Sequence, residues 1–170
     1  MIVDQILQFV ATGQFVEVYQ ELDNLETFSV GVFLAVDREQ YILATVDETG
    51  EFDGFHIGKL DSILFIGTES QYLSKFKSLP NSKSPLTLRE SFGETIATIV
   101  GSRDVVNFVY HNGDSWIGSL VYADEEVLAA SIYFIDGTAD GQRFFRIRDI
   151  LRVEVDTIGL HRFKAKISSV

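Results

Sequence analysis

The sequence predicts a mainly β protein with short helices, built from two tandem repeats of one small unit. The chain aligns with itself, without a gap, at an offset of 87 residues, which places Gly31 on Gly118 and Asp37 on Asp124. Both halves contain short stretches of alternating apolar and polar residues, rich in β-branched and aromatic side chains, which is typical of half-buried strands. The only two prolines lie between the halves, in the polar segment SLPNSKSPL. A long fixed period indicates a duplicated structural unit.

Each repeat begins with a predicted helix. Apolar residues recur at helical spacing in both segments. They are Ile2, Ile6, Phe9 and Val10 in repeat 1, and Leu88, Phe92, Ile96, Ile99 and Val100 in repeat 2. Gly13 and Gly101 follow as C-terminal stops, because glycine readily adopts the left-handed conformation that ends many helices. Ser91 and Glu94 have the spacing of a capping box.

Five short strands follow each predicted helix. In paired order they are FVEVYQEL and VVNFVYHN, VGVFLAVD and IGSLVYAD, YILATVDE and VLAASIYF, GFHIGKL and GQRFFRI, ILFIG and ILRVEV. An isolated glycine inside the second strand, Gly31 or Gly118, predicts a kink or a close backbone approach. The pairs Asp53-Gly54 and Asp140-Gly141 predict tight turns. The segments after the fifth strands, YLSKFKSL and LHRFKAKI, fit either a helix or a trailing strand.

A meander of five short strands with one buried face closes most easily into a small, strongly bent barrel. The predicted fold is therefore two tandem five-stranded bent-sheet barrels, each preceded by an N-terminal helix. We assign residues 1–79 to repeat 1, residues 80–87 to a linker and residues 88–170 to repeat 2.

Residues 105–128 carry a more specific pattern. An alternating strand is followed by Asn112-Gly113, by Gly118 in the second strand and by Asp124 six positions later. This spacing resembles the first signature of the Sm-like (Sm/LSm) family, and FRIRDILRV at 145–153 resembles its second signature. Repeat 1 carries fainter forms of both. The resemblance implies a helix followed by five strands. A second family of small barrels, the PRC-barrel, shares the meander and the entry into the last strand, so both topologies stay open.

The RNA-binding members of the Sm-like family contact a base through an Asn four positions after the Asp, and an Arg-Gly pair completes the pocket. This chain has Leu128 and Tyr41 at the Asn position, and neither Arg148-Asp149 nor Asp61-Ser62 is an Arg-Gly pair. Leu128 supplies neither hydrogen bonds nor a stacking face for a base. The resemblance therefore predicts the fold more strongly than it predicts RNA binding.

The charge of the chain also disfavours nucleic acids. The formal net charge is −11, of which residues 1–87 carry −8 and residues 88–170 carry −3. Nucleic-acid affinity comes largely from Lys and Arg that displace counterions, so we expect no DNA partner and disfavour RNA. A local basic strip exists in repeat 2 at Arg143, Arg146, Arg148 and Arg152, and its ordinary interpretation is the solvent face of a strand.

No constellation of residues indicates catalysis, a metal or a cofactor. His111, Asp114 and Ser115 lie within five residues of one another, as in a turn, whereas a catalytic triad is assembled by a scaffold. The histidines lack the spacing of zinc ligands, and the acidic glycine-containing loops lack that of an EF-hand. The chain has no cysteine and no long apolar run, and its N-terminus does not resemble a secretory signal. We therefore expect a non-enzymatic, cofactor-free cytoplasmic protein without a membrane partner.

The sequence thus predicts a protein-binding or self-assembling module that exposes the edges of its fourth and fifth strands. Two repeats in one chain could pair internally, and several chains could close a ring. The alternative is an RNA-binding regulator that uses the basic strip. Trp116 is either a surface anchor or, more ordinarily, part of the core or its rim. The candidate binding residues are Asp37, Trp116, Asp124, Arg146 and Arg148.

Overall fold

The computed structural model describes residues 2–21, 26–79, 86–100 and 105–167. Repeat 1 contains α1 (Ile2–Thr12), β1 (Phe15–Tyr19), β2 (Ser29–Val36), β3 (Gln40–Val46), β4 (Phe52–Lys59) and β5 (Phe65–Gly67). Repeat 2 contains α2 (Phe92–Ala97), β6 (Val105–Tyr110), β7 (Ser115–Ala123), β8 (Val127–Tyr133), β9 (Ala139–Arg146), β10 (Ile150–Val155) and α3 (Ile158–Ile167). Both repeats thus have the predicted order of one helix followed by five strands. Among the described residues, no helix has the length and apolar character that a membrane span requires.

All ten strands belong to a single antiparallel sheet in the order β5-β1-β2-β3-β4-β10-β6-β7-β8-β9. Within each repeat the fifth strand pairs with the first, so both repeats have the order fifth, first, second, third, fourth. The repeats join where β4 pairs with β10. The mainly β prediction is confirmed. The sheet is not closed, so the prediction of two barrels is not confirmed. Most of the predicted linker, residues 80–85, lies outside the described residues, and the division at 80–87 stays a prediction.

The two repeats have the same strand pairing from the second strand to the fourth. Every pair between β3 and β4 recurs between β8 and β9 at an offset of 87 residues, including the register shift near the hairpin. The first strands differ, because Val16 pairs with Gly31 whereas Val106 pairs with Gly118. The offset there is 90, so the chain between the paired residues of the first and second strands is three residues longer in repeat 1 than in repeat 2.

The glycines in the second strands bend the sheet as predicted. A Cβ atom on Gly31 would overlap the carbonyl oxygen of Ala44. A Cβ on Gly118 would lie 2.7 Å from that of Ser131. Each glycine precedes a register shift in its strand. Strand backbones therefore approach closely at these positions, where a side chain would separate them.

The Asp-Gly pairs do not form the predicted turns. Gly54 and Gly141 lie inside β4 and β9, with φ of +85° and +87°, where the register to the preceding strand shifts. The hairpin turns come earlier and contain Gly50 and Gly137, with φ of +87° and +91°. These glycines have the positive φ that the sequence predicts, but they lie in a bulge of the strand and not in a turn.

The helices cover the open sides of the bent sheet. α1 buries Ile6 against a cluster of repeat 1, and α2 buries Ile96 in a larger cluster shared by both repeats. The Ser91 side chain accepts the Glu94 amide at the start of α2, and Gly13 ends α1 with φ of +63°. After the fifth strand, repeat 1 has only a 3-10 turn at Leu73–Lys75, whereas repeat 2 has α3.

Candidate interaction edges

The contact between the repeats is itself a strand-edge contact, which we call the internal seam (β4 with β10). Its register pairs Gly58 with Arg152, Ile57 with Val153, His56 with Glu154 and Phe55 with Val155. Ile57 and Val153 are completely buried in the core cluster that both repeats share. A fourth strand of one repeat and a fifth strand of the other therefore form a continuous, well-packed sheet.

Polar contacts at both ends of the seam fix its register. The Lys59 ammonium donates to the carbonyl oxygen of Arg148 at 2.5 Å and to that of Ile147 at 3.5 Å. Partial burial lowers the pKa of Lys59, although nearby carboxylates act in the opposite direction. At the other end, Asp53 Oδ1 accepts the Ile158 amide at 2.8 Å. Burial raises the pKa of Asp53 despite this hydrogen bond.

A buried polar cluster lies on one face of the seam. Glu154 accepts hydrogen bonds from Arg152 Nε and Asn107 Nδ2, both at 2.9 Å, and its Oε1 lies 3.7 Å from His56 Nε2. Arg152 also donates to Gln20 Oε1 at 3.2 Å. Burial is the main reason that the pKa of His56 falls to about 4, since Glu154 only partly offsets it. The cluster holds Glu154 ionised, with a pKa below its usual range, because these partners outweigh its burial.

An open cleft of about 630 Å³ borders this cluster and includes Asp47, Asp53 and Tyr72 in its lining. Within the part of the chain that the structure describes, no three His, Asp or Glu side chains are grouped so that they could hold a metal ion. Glu154 is satisfied by Arg152 and Asn107, whereas His56 Nδ1 and Asn107 Oδ1 are buried without a hydrogen-bond partner among the described residues.

The same two kinds of edge recur at the ends of the sheet, where no described strand covers them. We call them the β9 edge (Ala139–Arg146) and the β5 edge (Phe65–Gly67), the equivalents of β4 and β10. Ile57 is fully buried in the seam, but its equivalent Phe144 is 74% exposed. Phe65 and the preceding Leu64 are 45% and 42% exposed. Apolar side chains that the seam would bury are therefore in contact with solvent at both ends.

Main-chain groups at the β5 edge are also available. The amide of Leu64 donates to Tyr19 of β1, and successive residues of a strand point their N–H and C=O groups in opposite directions. The N–H and C=O groups of Phe65 and Gly67 thus point away from β1, as those of a pairing edge must.

Asp37 and Asp124 stabilise their own loops. Asp37 Oδ1 accepts the amides of Glu39 and Gln40 at 2.8 and 2.9 Å. Asp124 Oδ1 accepts two amides in the same way, and its Oδ2 accepts the Tyr122 hydroxyl at 2.6 Å. These bonds, that of Tyr122 foremost, lower the pKa of Asp124. Both predicted site residues therefore shape the turn between the second and third strands.

The predicted basic strip is not one continuous surface. Arg146 and Arg148 lie together, on an open cleft of about 510 Å³ that Glu125 and Glu126 also line. Arg152, by contrast, is buried in the seam with 9% exposure, so its interpretation as part of a solvent face was wrong. Its partner in the register is Gly58, and the Tyr41 ring fills the space above that glycine, since a Cβ on Gly58 would overlap Tyr41 Cζ.

Trp116 lies apart from that cleft and packs at the rim of the repeat 2 core. The Arg143 guanidinium lies 4.5 Å from the centre of the indole ring, and the same arginine is ion-paired with Asp140. Trp116 is thus the platform of a cation–π contact.

Sequence reasoning missed the residues of the two edges. The available signal was consecutive apolar residues, Phe144-Phe145 and Leu64-Phe65-Ile66, which break the alternation of a strand with one solvated face. Comparison of the chain with family models, curated proteins and solved structures gives no significant match.

Proposed function

We propose that this chain is a non-enzymatic tandem of two Sm-like units that assembles with other copies of itself. In the proposed contact, the β9 edge of one chain pairs with the β5 edge of the next. The observation that carries the proposal is the internal seam, because a fourth strand and a fifth strand of this sequence already pair there. The strand order shared by the two repeats supports the Sm-like assignment.

The repeat gives the register of the contact between chains. Each residue of the internal seam has an equivalent at an open edge, 87 positions away in the sequence. The equivalent pairs are Phe145 with Phe65, Phe144 with Ile66, Arg143 with Gly67 and Gln142 with Thr68. Phe144 against Ile66 then takes the place of the fully buried pair of Ile57 and Val153. Complete burial of a phenylalanine side chain is worth about 1.5–3 kcal/mol. This contact therefore supplies the kind of driving force that holds the seam.

The contact that Lys59 makes in the seam also has an equivalent in the proposed contact between chains. Arg146 occupies the position of Lys59, and Leu60 and Asp61 of the next chain occupy those of Ile147 and Arg148. The Arg146 guanidinium would donate to their carbonyl oxygens, and the acidic side chain of Asp61 adds a favourable charge. Because the contact is head-to-tail, it either closes a ring or extends into a filament.

Phe144→Asp tests the proposal, because it places a charge at the centre of the contact. Since Phe144 is exposed in the single chain, the substitution should leave the fold intact. We expect the wild-type chain to sediment as an oligomer at micromolar concentration and the Phe144→Asp variant to sediment as a folded monomer. Ile135→Asp is the matched control, since Ile135 is 86% exposed on a hairpin tip away from the pairing edge. A monomeric wild-type chain would refute self-assembly, and equal association of all three proteins would refute the contact between the β9 and β5 edges.

RNA binding is the second candidate function, supported by the cleft that contains Arg146 and Arg148. The Arg148 side chain is 74% exposed, but Glu125 and Glu126 reduce the positive potential of the same cleft. Salt-dependent binding of single-stranded RNA that Arg148→Ala removes would support this function. Absence of binding at low salt would end it.

A further inference from the structure

A buried carboxylate lies next to the β5 edge. Glu17 of β1 is only 6% exposed, and it accepts hydrogen bonds from the Tyr19 hydroxyl at 3.0 Å and the Ser70 hydroxyl at 2.5 Å. Among the described residues, no cation pairs with it. Hydroxyl donors do not neutralise a carboxylate, and removal of an unpaired charge from water is costly. A cation from outside the chain would therefore stabilise the Glu17 carboxylate.

The Glu17 carboxylate lies directly behind the β5 edge, above Gly67. Gly67 of β5 lies directly opposite Glu17, and a Cβ atom on Gly67 would be 2.5 Å from Glu17 Oε2. The carboxylate thus occupies the space above Gly67 that a side chain would fill. A strand added to the β5 edge would meet this carboxylate across the glycine.

The seam shows what the equivalent row of residues does when it is paired. There His56 of β4, Glu154 of β10 and Asn107 of β6 lie side by side, and all three take part in the buried polar cluster. In the proposed contact, the same row contains Arg143 of one chain, followed by Gly67 and Glu17 of the next. The strand spacing puts the backbones of Arg143 and Glu17 about 10 Å apart, which the two extended side chains can span.

We infer that Arg143 of one chain forms an ion pair with Glu17 of the next chain, and that this pair selects the head-to-tail arrangement. The inference rests on the proposed self-assembly. Two β9 edges facing each other would bring together the arginines of both chains, Arg143 and Arg146. Two β5 edges would bring together two buried Glu17 carboxylates. Asp140 on the β9 edge neutralises part of the charge of the two arginines, which still leaves an excess of positive charge on each such edge. Like-charge contacts therefore disfavour both symmetric arrangements, and the heterologous contact is the one that places a positive edge against a buried carboxylate.

A double-mutant cycle tests the pair. We expect Arg143→Gln and Glu17→Gln each to raise the dissociation constant at least about tenfold, because Arg143→Gln leaves Glu17 buried without a cation and Glu17→Gln removes the carboxylate for which Arg143 exchanges Asp140. The double variant should be no weaker than the single variants, since neither charge is then left alone. Arg162→Gln is the control, because it removes the same charge from an exposed position on α3, near Asp53 at the end of the seam rather than at either open edge, and should leave the constant unchanged.

Trp116 supplies a second measurement. It is the only tryptophan, and Arg143 lies over its ring in the isolated chain. Transfer of Arg143 to Glu17 should change the emission of Trp116 as the protein concentration rises. This change should be absent in Arg143→Gln. If Glu17→Gln fails to fold, the exposed Arg143→Glu replaces it, and we expect that variant to weaken association more than Arg143→Gln does.

The outcomes separate the inference from the proposal on which it rests. If Phe144→Asp abolishes association but the cycle shows additive or negligible effects, edge pairing stands and the ion pair is refuted. An equal effect of Arg162→Gln would also refute the pair, because it would indicate a general charge effect. A wild-type chain that does not associate would refute the edge pairing itself.

Discussion

Two equivalent glycines allow the open β9 edge to be tested against the closed β4 edge. Gly54 and Gly141 have nearly identical φ values of +85° and +87°, so alanine at either position suffers the same backbone strain. That strain costs roughly 1–2 kcal/mol. A Cβ on Gly54 would also overlap the Val155 carbonyl oxygen and lie 2.7 Å from Thr157 N, whereas a Cβ on Gly141 meets no atom within 4 Å.

The expected stabilities follow from this difference. Gly141→Ala should lower the free energy of unfolding by about 1–2 kcal/mol. Gly54→Ala should lower it by a further 1–3 kcal/mol or so, because the seam has to open to admit the methyl group. Urea unfolding of each variant at low protein concentration measures both values. Equal destabilisation by the two substitutions would refute the assignment of β9 as an open edge.

The same variant also tests assembly. In the proposed contact, the backbone of Thr68 of the next chain takes the place of Val155, so the methyl group of Gly141→Ala would obstruct it. We expect this variant to fold but to remain monomeric in sedimentation. Gly113→Ala is the control, because Gly113 also has positive φ, at +82°, but lies in the turn after β6. Unimpaired association of Gly141→Ala would contradict the proposed register.

Two further substitutions test the interior. The pKa of His56 falls to about 4 in the folded chain but is about 6.5 when unfolded, so stability should be fully present above pH 6.5 and decline as the pH falls towards 4. The loss of unfolding free energy attributable to His56 should approach about 2–3 kcal/mol, as measured by urea unfolding. In His56→Gln the free energy of unfolding should depend less on pH between about 6.5 and 4. An unchanged pH dependence would contradict the burial of a neutral imidazole. Ser91→Ala should cost about 1 kcal/mol by thermal unfolding, because it removes the cap of the Glu94 amide, and no loss would show that α2 does not depend on its cap.

Much of the local structure could be predicted because its causes lie close together in the sequence. The offset between the repeats identified equivalent strands. Gly31 and Gly118 indicated the bends, because a glycine inside a strand is needed where two backbones approach too closely for a Cβ atom. The role of the Asp-Gly pairs was harder to assign, since positive φ serves a turn and a bulge equally well. Only the pairing of β3 with β4 distinguishes the two.

The joint between the repeats could not be predicted from local pattern. Pairing of β4 with β10 joins residues about one hundred positions apart, and its consequences follow only from that contact. Arg152 alternates in its strand like a solvent-facing residue, yet the seam buries it beside Glu154. Phe144 and Ile57 are equivalent in sequence, but one is exposed and the other buried because only β4 has a strand beside it.

A disulfide across the proposed contact tests most directly whether the β9 and β5 edges pair. The chain has no cysteine, and Gln142 and Thr68 are both exposed and opposite each other in the expected register. By the alternation described above, this pair is not hydrogen-bonded. Opposed Cα atoms of such pairs lie about 4.5 Å apart, within the range for a disulfide. Gln142→Cys and Thr68→Cys are introduced into separate chains, which are then mixed and oxidised.

Pairing of the open edges should give a cross-linked product that contains one chain of each kind, and Phe144→Asp in the Gln142→Cys chain should prevent it. The equivalent pair in the seam, Phe55→Cys with Val155→Cys in one chain, is the positive control and should form a disulfide within the chain. If the control disulfide forms while the mixed chains stay uncross-linked, the β9 and β5 edges do not pair and the proposed self-assembly is refuted.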